Sequence, residues 1–201
     1  MSTTPRSEEE KYFHDEDVRK LAELRGEADA EKKEKERWKA IADAVGSKDL
    51  QVGKTLDSLG FSPDSARVLF FIPLIEVAWA DGKIGYEESY KIIDQARRSG
   101  IRATTEAFEF LSSLTLRKPE DRFFEECNGI IRKILAERPA GERESKVVSL
   151  TQLVIEVARA SRGFFGFGKD ITDDEKVAIE DIVADLGLEE SPRVKEMLEK
   201  L

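Results

Sequence analysis

Ile75-Glu76-Val77-Ala78-Trp79-Ala80 and Ile155-Glu156-Val157-Ala158-Arg159-Ala160 are one hexapeptide written twice with a single change. Each is followed by a loop, an isoleucine and an acidic stretch. The first copy continues as Ile84-Gly85-Tyr86-Glu87-Glu88 and the second as Ile171-Thr172-Asp173-Asp174-Glu175, and Ile92 and Ile179 stay in step downstream. Self-similarity on this scale marks a duplicated supersecondary unit. The apolar spacing on both sides of the loop is helical, so each unit reads as a helix–loop–helix, over about residues 64–98 and 147–186. One such hairpin leaves an apolar face bare, and pairing two of them covers both faces. The expected fold is therefore all-α, a helical bundle of two pseudo-symmetric hairpins.

Working outward from the first copy, Ser62-Pro63 reads as a helix start, a capping hydroxyl followed by a proline that suits the first turn. Asp64–Ala80 is apolar on nearly every face and predicts a central buried helix, bent at Pro73, which lacks a backbone donor. Asp81-Gly82 ends it. Tyr86–Arg98 is amphipathic, with Tyr90, Ile93 and Ala96 expected on the inner side and Ile92 nearby. Further helices fit residues 105–116, 119–137 and 141–161. Thr172 and Glu175 form a capping box opening a helix that Gly187 stops, and Ser191-Pro192 caps a last short one. Few segments alternate as strands do.

Residues 1–10 are polar and are expected to lack structure, whereas Asp15–Val45 is dense in Glu, Lys, Arg and Ala. It carries two short apolar stripes, Val18, Leu21, Leu24 and Trp38, Ile41, Val45, separated by the almost wholly charged Glu27–Arg37. A helix polar all round has nothing to pack with. The reading is a charged helical arm over residues 1–45, either a solvated connector or a partner-binding element, followed by a helical domain over 46–201. Gly46 and Gly53 punctuate the loop or short helix between them.

The chain has 201 residues and a net charge of -9, with 37% charged residues, well above the usual quarter. That balance excludes non-specific nucleic-acid binding, which needs Lys and Arg against phosphate. It favours cations and basic partners. One cysteine, Cys127, and one histidine, His14, rule out an intramolecular disulfide and a zinc site of Cys/His type. Cys127 sits beside Glu125 and Glu126, neighbours that disfavour a thiolate. There is no phosphate-binding glycine loop and no nucleophile–histidine pair. The most apolar run, Val68–Ala80, is too short to span a bilayer, and no leader is expected from the polar opening residues. The expected location is cytoplasmic.

Val77-Ala78-Trp79-Ala80-Asp81-Gly82-Lys83-Ile84, followed by Glu87-Glu88, resembles the signature of the tellurite-resistance TerB-like family, to which the N-terminal region of certain membrane-anchored DnaJ-type co-chaperones is related. The likeness covers roughly residues 52–190. It implies an all-α bundle of pseudo-twofold hairpins, a stress-response setting, and acidic residues, here Asp81 and Glu88, as candidate ligands of a cation. The second copy departs from the pattern, with Ser161-Arg162 in place of Asp-Gly, so its share of an acidic site rests on Asp174 and Glu175.

Glu76 and Glu156 lie inside apolar helical stretches, where a carboxylate is costly unless paired or hydrogen-bonded. Structurally, each is expected at a rim or beside a cation such as Arg159 or Arg162. Functionally, Asp81, Glu88, Glu76, Glu156 and Glu175 form a candidate site for Ca²⁺, Mg²⁺ or Mn²⁺, all oxygen-seeking cations. Phe164, Phe165 and Phe167 alternate with glycines and form a candidate contact surface for a protein partner or a membrane. The expected role is a non-catalytic interaction or sensing module that binds another protein. The alternatives are a metal-dependent hydrolase built on clustered carboxylates, and a peripheral membrane scaffold acting through the Phe loop.

Overall fold

A computed structural model describes residues 5–160, 171–188 and 191–201. All regular structure among the described residues is helical. α1 (Pro5–Val45) runs into α2 (Leu50–Ser58), then a 3-10 segment (Ser65–Phe71) leads directly into α3 (Ile72–Ala78). α4 (Tyr86–Arg98), α5 (Glu106–Leu116), α6 (Asp121–Ala136), α7 (Ala140–Ala160), α8 (Asp173–Asp185) and α9 (Pro192–Leu198) follow.

The hairpins α3–α4 and α7–α8 pair as the repeat requires. α3 lies against α7 and α8, α4 lies against α7, and α6 closes the other side of α3. Val77 and Val157 are both buried, as are Ile75, Ala78, Ile155 and Ala158. The pairs Ile84–Ile171 and Ile92–Ile179 bury three of their four members completely, with Ile84 half-buried. One apolar core runs from Ile41 to Val194.

The first unit differs from a single long helix. Pro73 begins α3 instead of bending a continuous one, and the seven residues before it wind as 3-10 helix. A prolyl ring clashes with the preceding turn and offers no N–H, so it is best placed in a first turn, where that donor is not needed. Upstream, Ser62 Oγ accepts the Ser65 N–H at 3.1 Å, but the helical segment begins at Ser65 with Asp64 in the cap position, so Ser62-Pro63 form the turn before it and not its first residues. The inner face of α4 also differs. Glu88, Ile92 and Ala96, four residues apart, point inward, while Tyr90 is exposed and Ile93 is half-buried. The stripe follows the i, i+4 line of Ile92, which turns Tyr90 to solvent.

α1 starts at Pro5, earlier than its polar opening suggests. Its charged middle is exposed and carries i,i+4 pairs such as Lys35 with Glu31. Its last turns belong to the core, with Ile41, Ala42 and Val45 buried. Trp38 donates its indole N–H to Asp57 Oδ2 at 3.0 Å, and Arg37 Nε donates to Asp57 Oδ1 at 2.6 Å. Of the two readings for the segment around Gly53, a loop or a short helix, the structure has the helix. Gly53 lies within α2, at the point where α2 presses on the α1 backbone.

Candidate functional site

The loop–helix junctions of the two hairpins share one local design. At the second, Thr172 N–H donates to Glu175 Oε2 at 2.7 Å, Thr172 Oγ1 donates to the same oxygen at 2.8 Å, and Glu175 N–H donates to Thr172 Oγ1 at 3.1 Å, a complete capping box. At the first, Gly85 takes the place of Thr172, so only the return bond exists, Gly85 N–H to Glu88 Oε2 at 2.7 Å. The capping geometry turns both carboxylates back toward the chain, and both are buried: Glu88 is 3% and Glu175 2% exposed.

Burial pushes the Glu88 carboxyl from its usual 4.5 up to about 7; the Gly85 N–H bond opposes this, and the negative charges of Asp81 and Glu175 add to it. Glu76 is also pushed up to about 7. Burial again leads, the Asn128 amide acts against it, and Asp185, Asp181 and Asp121 contribute repulsion. Asn128 is fully buried and donates Nδ2–H to Glu76 Oε2 at 2.8 Å. Asn128 Oδ1 has no partner among the described residues. Cys127, buried next to this pair, has its thiol pushed well up, by burial first and then by Glu126 and Glu76, in keeping with the inert thiol expected there.

The five acidic candidates thus fall at three places. Glu88 and Glu175 lie within electrostatic reach of each other, with Asp81 near Glu88. Asp81 is exposed on the turn after α3, where its Oδ1 accepts the Lys83 N–H at 3.2 Å. Glu76 belongs with Asn128 and the aspartates of α8. Glu156 accepts from Gln152 Nε2 at 3.1 Å and stands 4.0 Å from Lys91 Nζ, so its cation is Lys91 of α4 and not Arg159. Among the described residues, no three His, Cys, Asp or Glu side chains are arranged to hold one metal ion. Phe164, Phe165 and Phe167, with Arg162, lie outside the described residues.

Asn128 is the residue that the sequence reading passes over, though a signal existed. It falls on the apolar face of α6, in register with Phe124, Ile131 and Leu135, where a polar side chain needs a partner.

The raised carboxyls fix the sign of a pH effect. Between about pH 4.5 and 7 the folded chain holds protons on Glu88 and Glu76 that the unfolded chain has lost. Their contribution to stability is complete below 4.5 and disappears as pH rises through 7. Glu88→Gln keeps an acceptor for Gly85 N–H but carries no charge. At pH 8 it is expected to stabilise the fold by roughly 1–3 kcal/mol over wild type, with little change at pH 5. Urea unfolding at the two pH values checks this. A variant no more stable than wild type at pH 8 would show that Glu88 ionises without penalty.

No helix of the described residues is long and apolar enough to cross a membrane. Comparison with protein-family models, with curated proteins and with solved structures finds no match to this chain.

Proposed function

We propose that this chain is a non-catalytic interaction module, a paired-hairpin bundle that holds a long helical arm out to another protein. The observation that carries this reading is an apolar stripe on α1 that the described residues leave largely exposed. Phe13, Val18, Leu21 and Leu24 are 52–62% exposed. At 100° per residue they fall within an arc of about 140° on one side of the helix. The far end of the same helix is fixed in the core through Ile41 and Val45. An anchored helix with an exposed apolar side is suited to entering a groove or joining a helix on a partner.

The likeness to the TerB-like signature supports a stress-response setting. A metal-dependent hydrolase would need converging acids, and the described residues supply no such group. The membrane-scaffold reading rests on Phe164, Phe165 and Phe167, which lie outside the described residues.

A photoreactive amino acid at Leu21, used in the native host, tests the proposal. The expected result is a discrete adduct with a different protein, abolished by Phe13→Glu with Leu24→Glu. Adducts only between copies of this chain, or none, would contradict it.

A further inference from the structure

A groove of about 320 Å³ opens between the 3-10 segment, the end of α4, the end of α6 and the middle of α7. Its floor is apolar: Phe70, Phe71, Leu74, Leu135, Leu150 and Leu153. Its rim carries Arg67, Arg138 and Lys146, and no carboxylate lines it. In a chain of net charge -9, three cations around an apolar floor set this groove apart from the acidic average.

The state of these cations matters more than their number. Arg67 is held by Asp64, Nη2 to Oδ1 at 3.0 Å. Among the described residues Arg138 and Lys146 have no ion pair, and Arg138 Nε is buried without a hydrogen-bond partner. The Arg138 guanidinium lies over Gly46, where an added Cβ would stand 3.2 Å from Nη2, so its position at the rim is defined by close contact. A buried guanidinium nitrogen without an acceptor is costly, and an entering anion would supply that acceptor. Of the acids near the groove, Asp94 pairs with Arg98 at 2.8 Å and Glu156 stands 4.0 Å from Lys91.

We infer that this groove binds a free single-chain anionic amphiphile. A carboxylate or phosphate monoester would sit at Arg138 and Lys146, with its alkyl chain along the Leu74–Leu150–Leu153 floor. The volume lies at the lower end of the range for small-molecule sites, roughly 300–1,000 Å³, which suits one chain rather than a two-chain lipid. This site is separate from the α1 stripe, so either proposal can fail alone.

The test is calorimetric titration of the full chain with decanoate below its micelle concentration, beside decanol and decyltrimethylammonium. The expected result is saturable binding of decanoate, with decanol and the cation at least about tenfold weaker. Arg138→Met should weaken decanoate by about tenfold, and Leu153→Trp, which fills the floor, should abolish binding. Both sites are partly accessible, and circular dichroism confirms that each variant folds. Phosphatidylglycerol vesicles form the second arm. Vesicle binding lost in both variants, without decanoate binding, would overturn the proposal in favour of a membrane surface. Equal binding of decanoate and the cationic amphiphile, or binding indifferent to both substitutions, would also overturn it.

Discussion

Gly53→Ala is expected to destabilise the fold by about 2 kcal/mol or more and to loosen the arm from the bundle. In isolation the change should help, because alanine is favoured over glycine by about 1 kcal/mol inside a helix. Here an added Cβ would fall 1.8 Å from the carbonyl oxygen of Trp38, 2.6 Å from its carbonyl carbon and 3.1 Å from its Cα. These are backbone atoms and cannot swing aside, so the helices must separate. Overpacking of this kind costs about 1–3 kcal/mol, occasionally more. Separation would also strain the bonds from Trp38 and Arg37 to Asp57, and the contact of Lys54 with the Trp38 ring at 5.2 Å. Gly129→Ala is the control. It lies within α6 with open space around its Cβ position, so it should be neutral or stabilising by up to about 1 kcal/mol. Urea midpoints of the two variants check this, and an unchanged midpoint for Gly53→Ala would mean that α1 and α2 do not cross there.

Ile75→Ala and Ile155→Ala should each cost about 2–5 kcal/mol, the usual range for a large aliphatic residue lost from a core. Ile75 is fully buried on α3 and Ile155 nearly so on α7, at matching places in the two repeats. The helices that carry them touch one another. Because both sites belong to one core and their helices touch, the double variant is expected to depart from additivity. Chemical denaturation of both single variants and the double variant measures this. A cost below about 1 kcal/mol at either site would place that isoleucine outside a packed core.

The bundle was legible because a duplicated sequence leaves a duplicated pattern. The hexapeptides, the capping box at Thr172 and the glycine stop at Gly187 each state a local preference that the packing obeys. What escaped the reading depended on neighbours far along the chain. Gly53 was open between a loop and a short helix, and its need for a missing Cβ appears only when α1 lies across it. Glu88 sits where a carboxylate ordinarily faces water at a helix start, yet in the folded chain it is buried. Tyr90 and Ile92 are two residues apart, and the choice of inner residue was made by α7. Pro73 announced a disturbance without saying whether the helix would bend or begin. The groove was invisible because Arg67, Arg138 and Lys146 come from separate elements, and only folding gathers them. The distribution of the acidic candidates over three places could not be read from one dimension.

The mutual shielding of the two hairpins is tested most directly by native-state hydrogen exchange on wild type and Ile75→Ala. If α3–α4 and α7–α8 stabilise one another, the slowest amides of α3 and α7 open with the same free energy, and the substitution in α3 lowers both equally. Protection in α7 that stays at its wild-type value while α3 loses its own would contradict the pairing.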